Sequence, residues 1–345
     1  MGIKCFFYIV LTLSLVSCVK NDFKGNSTIN GSTMGTTYSV KIYPQIDDVS
    51  LSKLKKGITY ELELINNVMS TYRSESKLSL FNKAKANQAI FLENSLFEII
   101  KRALQVNRET EGAFDVTVGP LVNLWGFGAG GKRRNIVPDK KTVDELLVLV
   151  GSDKLVVDEE RRSVLKNNEK IYVDLSAIAK GYGVDEISRY LSESGYTNHM
   201  VEIGGEIRVK GFKGPKTKLN WKIAIEVPNS KEREEGRVLE LSDVAMATSG
   251  DYRNFFTVDG KRYSHTIDPR TGGPITHNLT SVTVLYDNCM DADAYATALM
   301  VMGEVNGPKW ANENNIMAIF YAKEANGGFK EIVSNAMKKN ILEKK

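Results

Sequence analysis

The chain has 345 residues, 42% of them hydrophobic, and a formal net charge of +4 at neutral pH. A chain of this length buries roughly three quarters of its unfolded surface, so its core needs no staples, and one large domain or two small ones fit it. Acidic and basic residues are intermixed and no basic run carries interleaved aromatics, so no nucleic-acid partner is expected.

Lys4 precedes an apolar run, Cys5 to Val16, which is too short to span a bilayer as a mature helix but suits the core of a signal peptide. It ends in Leu15-Val16-Ser17-Cys18, which resembles a bacterial lipobox; that resemblance implies removal of residues 1–17 and lipidation of Cys18. Plain signal-peptidase cleavage near Ser17, with Cys18 incidental, is the competing reading. Cys5 leaves with the signal and Cys18 takes lipid, so Cys289 alone remains and the mature chain has no disulfide framework. A multiply acylated N-terminus binds membrane far more firmly than a single chain does. Val19 to Gly31, rich in Asn, Ser and Gly, reads as a flexible tether. The expected organisation is a signal peptide at 1–17, a lipidated tether at 18–31 and one folded domain at 32–345, exported and facing the periplasm.

Within the folded part, Ser32 to Tyr43 alternates through Tyr38, Val40 and Ile42, which predicts a strand with one buried face. Leu51, Leu54, Ile58, Leu62, Ile65 and Val68 recur at threes and fours, predicting an amphipathic helix over Leu51 to Met69. Asn94 or Ser95 caps a second helix that ends before Gly112. The glycines and aromatics of Gly112 to Leu121 and Trp125 to Gly128 fit either backbone brought close to a flat ligand or tight turns between core aromatics. Thr142 to Val150 is a short helix, and Leu155 to Val157 and Ile171 to Leu175 read as strands flanking a charged turn. A helix ending near Gly195 follows, then strands over Met200 to Ile203, Ile207 to Val209, Trp221 to Val227, Val238 to Leu241 and Val244 to Ala247. The Gly204-Gly205 pair marks a turn or a close backbone approach. Asp259-Gly260 predicts a hairpin that delivers the turn-rich loop from Ser264 to Pro274. Ser281 to Tyr286 and Met317 to Ala322 are further strands, with a helix from Asp291 to Met302 stopped by Gly303. Helices and strands do not alternate strictly, so the expected class is α+β, with a mixed, largely antiparallel sheet packed by helices.

Three places carry candidate chemistry. Val173 to Asp185 reads as a strand running into a helix of small residues, whose open N-terminus suits an anion, with Lys180 on the face of Ala177. A phosphate-bearing ligand fits these residues, and so does an ordinary amphipathic helix with an exposed lysine. Asp291 and Asp293 complement the dipole of the late helix, but Asp293 and Thr297 also share one face beside alanines, an uncrowded pair of hard oxygens that suits Mg²⁺. His199, His265 and His277 show no helical metal spacing. His265 lies between the hairpin and a Pro-fixed turn, three residues before Asp268; it reads as a surface histidine or as a rigidly placed general base.

Seven blocks then converge: Ser32 to Tyr38, Gly112 to Asp115, Asp174 to Tyr182, Gly204 to Glu206, Ala247 to Tyr252, His265 to Gly272 and Asp293 to Leu299. Together, and in this order, they strongly resemble the FAD:protein FMN transferases, the ApbE-like lipoproteins. The resemblance implies a single ApbE-like domain that binds FAD with Mg²⁺. It also implies transfer of the FMN half to a threonine or serine hydroxyl of an acceptor protein, an exported redox subunit, with release of AMP. By the same resemblance Met34, Tyr72, Ala113, Phe114, Asp115, Asp174, Lys180 and Ile267 line the FAD site. Magnesium is then held by the Ala177 carbonyl, Asp293 and Thr297, and His265 is the base. FAD hydrolysis in the same site and a non-catalytic FAD-binding lipoprotein are the alternatives.

Overall fold

A computed structural model describes residues 25–129, 136–214, 218–228, 234–251 and 254–342. The signal peptide, Cys18 and the first part of the expected tether lie outside the described residues, as does Tyr252. The class is α+β, as expected. The main sheet has eight strands: β1 (Ser27–Thr33), β2 (Thr36–Ile42), β3 (His199–Ile203), β4 (Glu206–Lys210), β5 (Val244–Gly250), β6 (Leu279–Tyr286), β7 (Met317–Lys323) and β8 (Phe329–Val333). Their order in space is their order along the chain, and every pairing is antiparallel, so the sheet is a meander and not mixed. β1 begins at Ser27, inside the stretch read as tether, because Ile29 and its neighbours pair in register along β2; the fold therefore starts before Ser32.

The helices enter as excursions between strands that remain neighbours. Between β2 and β3 come α1 (Asp48–Met69), α2 (Lys77–Asn82), α3 (Asn94–Glu109) and α4 (Ala179–Glu193). Asp47 caps α1 by accepting the Ser50 N–H at 2.9 Å, whereas the N-cap of α3 is Glu93, which makes no side-chain cap, and not Asn94 or Ser95. Between β6 and β7 lies α5 (Cys289–Glu313). Its helical backbone breaks at Gly303 (φ 80°), as expected, but a second helical stretch resumes beyond it.

The period of two in the strands sorts the core. Val40, Ile42, Val201 and Ile203 face Leu54, Ile58 and Leu62 of α1 and Val184, Ile187 and Leu191 of α4. Met200, Val209, Met246 and Ile319 face the other way, under the ribbon Trp221–Val227 with Glu234–Leu241. α3 and α5 pack with β5, β6 and β7 in the largest cluster.

Ile171 to Leu175 is not a strand. The partner of Leu155–Asp158 is Ser163–Lys166, on the other side of the charged turn. The 171–175 stretch is held mainly by side chains, with the Asp174 N–H donating to the Val116 carbonyl at 2.7 Å: the Asn82 amide donates to the Val173 carbonyl and accepts the Val173 N–H, both at 2.8 Å. The buried Lys166 ammonium donates to the carbonyls of Asn82, Glu169 and Ile171 at 2.7, 3.0 and 3.2 Å. An apolar run thus satisfies its backbone without a ladder.

Candidate active site

A cleft of about 1590 Å³ opens between the β1–β2 turn, the start of α4, α5 and the 265–269 loop. All twelve residues assigned to ligand, metal or catalysis by the resemblance lie on its wall. Met34 and Gly35 form a two-residue turn with φ of 50° and 73°, between the paired Thr33 and Thr36. That is the primed turn a twisted hairpin favours, yet a methionine in the left-handed region is strained, which points to a purpose for its side chain. Tyr72 stands exposed on the rim, and Ala113 and Phe114 are buried in the wall. The Asp115 carboxylate accepts from Thr117 N and Oγ1 at 2.7 and 2.6 Å and from Asn107 at 2.9 Å. Burial still pushes its pKa above the usual carboxylate value, against those hydrogen bonds. Asp174 turns its carboxylate onto Ser176 N and Oγ at 2.9 and 2.5 Å, which shapes the turn before α4.

The charged half of the cleft differs from the expected open helix terminus. Ala177 lies in the turn Ser176–Ile178 and α4 begins at Ala179, so Ala177 and Lys180 do not share a helix face. The Gly181 N–H in the first turn of α4 donates to Asp293 Oδ2 at 3.0 Å, so an internal carboxylate from α5 already occupies part of that positive terminus. This contact needs Gly181 itself: a Cβ there would lie 2.2 Å from the Cys289 carbonyl oxygen and 2.9 Å from Asp293 Cβ. The Asp185 carboxylate draws α4 and α5 together from the other side, accepting the Cys289 and Met290 N–H groups at 2.8 and 2.9 Å.

Lys180 Nζ lies 2.8 Å from Glu206 Oε1 and 3.7 Å from Asp293 Oδ1. Burial works against its charge, but Asp293 and Glu206 outweigh that and hold the ammonium well above the usual lysine pKa. Burial pushes both carboxyls up while Lys180 pulls them down, Glu206 reaching about 7. Thr297 Oγ1 is 3.2 Å from Ser249 Oγ. Among the described residues no group of three or more His, Cys, Asp or Glu converges as a metal cluster.

His265 lies three residues before Asp268, whose carboxylate is taken by Arg270 at 2.9 Å. Its Nδ1 lies 3.0 Å from the Asn254 carbonyl. A carbonyl only accepts, so Nδ1 carries a proton, and in the neutral form of the ring the lone pair is on Nε2. Phe127 meets the imidazole edge-on at 6.3 Å and continues through Phe256 and Tyr263 to Trp125 in a run of stacked rings. Trp125 Nε1 donates to the Gly272 carbonyl at 2.9 Å, tying the loop that carries Ile267 to this platform. The aromatic segment thus serves packing between turns as well as the cleft wall.

Glu206, Ser249, Asn254 and Gly181 were given no role by the sequence. Glu206, Ser249 and Gly181 fall inside recognised blocks, but a buried carboxylate beside a lysine in another block has no sequence signal. The Asn254 contribution is a backbone carbonyl, to which residue type is blind.

The ApbE family profile matches residues 34–320. A Vibrio cholerae protein named FAD:protein FMN transferase is 45% identical over 310 residues, covering 90% of this chain and 91% of the relative. A Haemophilus influenzae protein of the same name is 42% identical over 339 residues, covering 96% and 95%. Among solved structures, the Vibrio cholerae flavin transferase ApbE superposes with a TM-score of 0.82 at 43% identity, covering 91% of this chain and 99% of that one. The apo Pseudomonas stutzeri flavinyl transferase ApbE gives 0.82 at 35% identity, covering 91% and 96%. The chain belongs to the ApbE family.

Proposed function

We propose that this chain transfers the FMN portion of FAD to a threonine or serine hydroxyl of an acceptor protein and releases AMP. The observation that carries this reading is the single cleft, where a small-residue and aromatic wall meets a charged wall built from α4 and α5, 112 residues apart at the Gly181–Asp293 contact. The name shared by the Vibrio cholerae and Haemophilus influenzae relatives describes the same donor, transferred group and acceptor class.

The Asp293 carboxylate, the Thr297 hydroxyl and the Ala177 carbonyl make a sparse hard-oxygen set, which fits Mg²⁺, an ion that keeps waters and phosphate oxygens in its remaining positions. Bound there, Mg²⁺ would supply positive charge to the pyrophosphate oxygens. Lys180 adds a second, fixed positive charge that stabilises the phosphoryl oxygens and the departing AMP. An alkyl hydroxyl is a poor nucleophile near neutral pH, and His265 Nε2 is the group that takes its proton. The hydroxyl oxygen attacks the FMN phosphorus, the bond from that phosphorus to the bridging oxygen breaks, and a phosphoester to the acceptor forms. Asn254 keeps Nδ1 protonated and so holds the lone pair on the reacting nitrogen.

The test follows AMP release from FAD with and without an acceptor domain. Acceptor-dependent release that falls about 10²–10⁴-fold in His265→Ala supports the reading; equal FMN and AMP production without acceptor would replace it with hydrolysis. The Cys5–Cys18 segment supports an exported, membrane-anchored enzyme acting on envelope redox proteins. Fatty-acid labelling that persists in Cys18→Ser would refute that anchor.

A further inference from the structure

Lys180 stands between two carboxylates and does not share itself equally. Its ammonium is 2.8 Å from Glu206 and 3.7 Å from Asp293, although both acids are almost completely buried, with side chains 3% and 4% exposed. Gly204 and Glu206 together form a cradle for the lysine. Gly204 has φ of +63°, and a Cβ there would lie 3.4 Å from Lys180 Cδ, so the lysine stem passes over the turn where a side chain is missing. Glu206 follows as the first residue of β4 and meets the head group. Its second oxygen, Oε2, is buried without a hydrogen-bond partner among the described residues, so the Lys180 ion pair is the main compensation this carboxylate has for leaving water.

We propose that Glu206 is a positioning residue that holds the Lys180 ammonium away from the Asp293 carboxylate, keeping Asp293 open to a divalent cation. The inference rests on the Mg²⁺ reading above and adds a residue to it. Without Glu206, Asp293 is the one acid among the described residues left in contact with the ammonium, and a lysine on a flexible stem closes a gap of that size by rotamer change alone. The ammonium then competes for the oxygen that Mg²⁺ needs. Glu206 also adds negative charge to the cleft, which by itself favours any cation, so the two effects must be separated.

The experiment measures Mg²⁺ binding to the FAD-free protein by titration calorimetry, in a double-mutant cycle. Wild type is compared with Glu206→Gln, which preserves shape and removes the charge, with Lys180→Met, and with the double variant. The expected result is an affinity about tenfold weaker in Glu206→Gln, stronger than wild type in Lys180→Met, and little changed by Glu206→Gln once Lys180 is absent. Thermal melting confirms that each variant is folded, and Glu206→Asp, which keeps the charge, should recover part of the lost affinity. The same loss from Glu206→Gln in both lysine backgrounds would make Glu206 a plain charge and overturn the proposal, as would no loss in either. A wild-type protein that binds no Mg²⁺ would overturn the metal reading along with it.

Discussion

Asp291 and Asp293 stand two residues apart on α5 and serve different ends. Asp291 pairs with Arg102 at 2.7 Å, and Arg102 continues to Tyr295 and Glu109, so this acid ties α5 to α3. Asp293 spends one oxygen on Gly181 N–H and turns the other toward Lys180 in the cleft. Asp291→Ala leaves a largely buried guanidinium with Glu109 and Tyr295 as its remaining partners and should lower stability by roughly 1–3 kcal/mol. Asp293→Ala should lower flavin transfer by about 10²–10³-fold, as when one preorganised electrostatic group is lost, with a smaller change in unfolding midpoint. Denaturant unfolding and turnover measured on both variants check this, and the reverse assignment of effects would contradict it. From sequence the two acids are equivalent first-turn residues; only Arg102, far upstream, separates them.

At the scale of elements, the site depends on how closely α4 approaches α5. Gly181 permits that approach, and the burial of Ala292, Ala294, Ala296 and Ala298 shows how little side-chain volume separates α5 from its neighbours. Alanine at Gly181 gains helix propensity worth about 1 kcal/mol. Its methyl would meet a backbone carbonyl that cannot step aside, so the overpacking cost of roughly 1–3 kcal/mol should win. Gly181→Ala should therefore be destabilised in urea and should bind Mg²⁺ more weakly; a stabilised variant with normal binding would mean that the close approach is dispensable. Elements with strong periodicity, such as α1 and the Asp259-Gly260 hairpin, were legible because their own residues determine them. Ile171 to Leu175 was misread because its backbone is held by the Asn82 and Lys166 side chains and by single contacts to the Val116 and Asn168 carbonyls, a device with no local pattern.

Across the whole molecule, the excursions of a plain meander carry the chemistry, while the sheet supplies rigidity. His199 at the start of β3 is a buried part of that frame, with Nδ1 against the Tyr196 carbonyl and Nε2 against Ser188 Oγ, both at 2.7 Å. Burial, opposed by the Tyr196 contact, lowers its pKa from 6.5 to about 4. Above pH 6.5 both folded and unfolded chains hold it neutral; below that only the unfolded chain gains the proton until the pH nears 4. Stability should therefore fall across this window as pH drops, by on the order of 3 kcal/mol in all. Glu206, raised to about 7, acts in the opposite direction, so the quantity to read is the difference in pH slope between wild type and His199→Asn. Identical slopes would contradict the assignment. The family blocks were legible as a set, because twelve residues scattered from Met34 to Thr297 reach one cleft. Which partner each one uses was not, since Glu206, Asn254 and Arg102 act across the fold. Flavin transfer is read most directly from the intact mass of an acceptor domain after incubation with this protein and FAD, with Mg²⁺ or with EDTA. The expected product is an acceptor heavier by one FMN unit, dependent on Mg²⁺ and strongly diminished with Asp293→Ala; unmodified acceptor with Mg²⁺ present, or modification that persists in EDTA, would contradict metal-dependent flavin transfer.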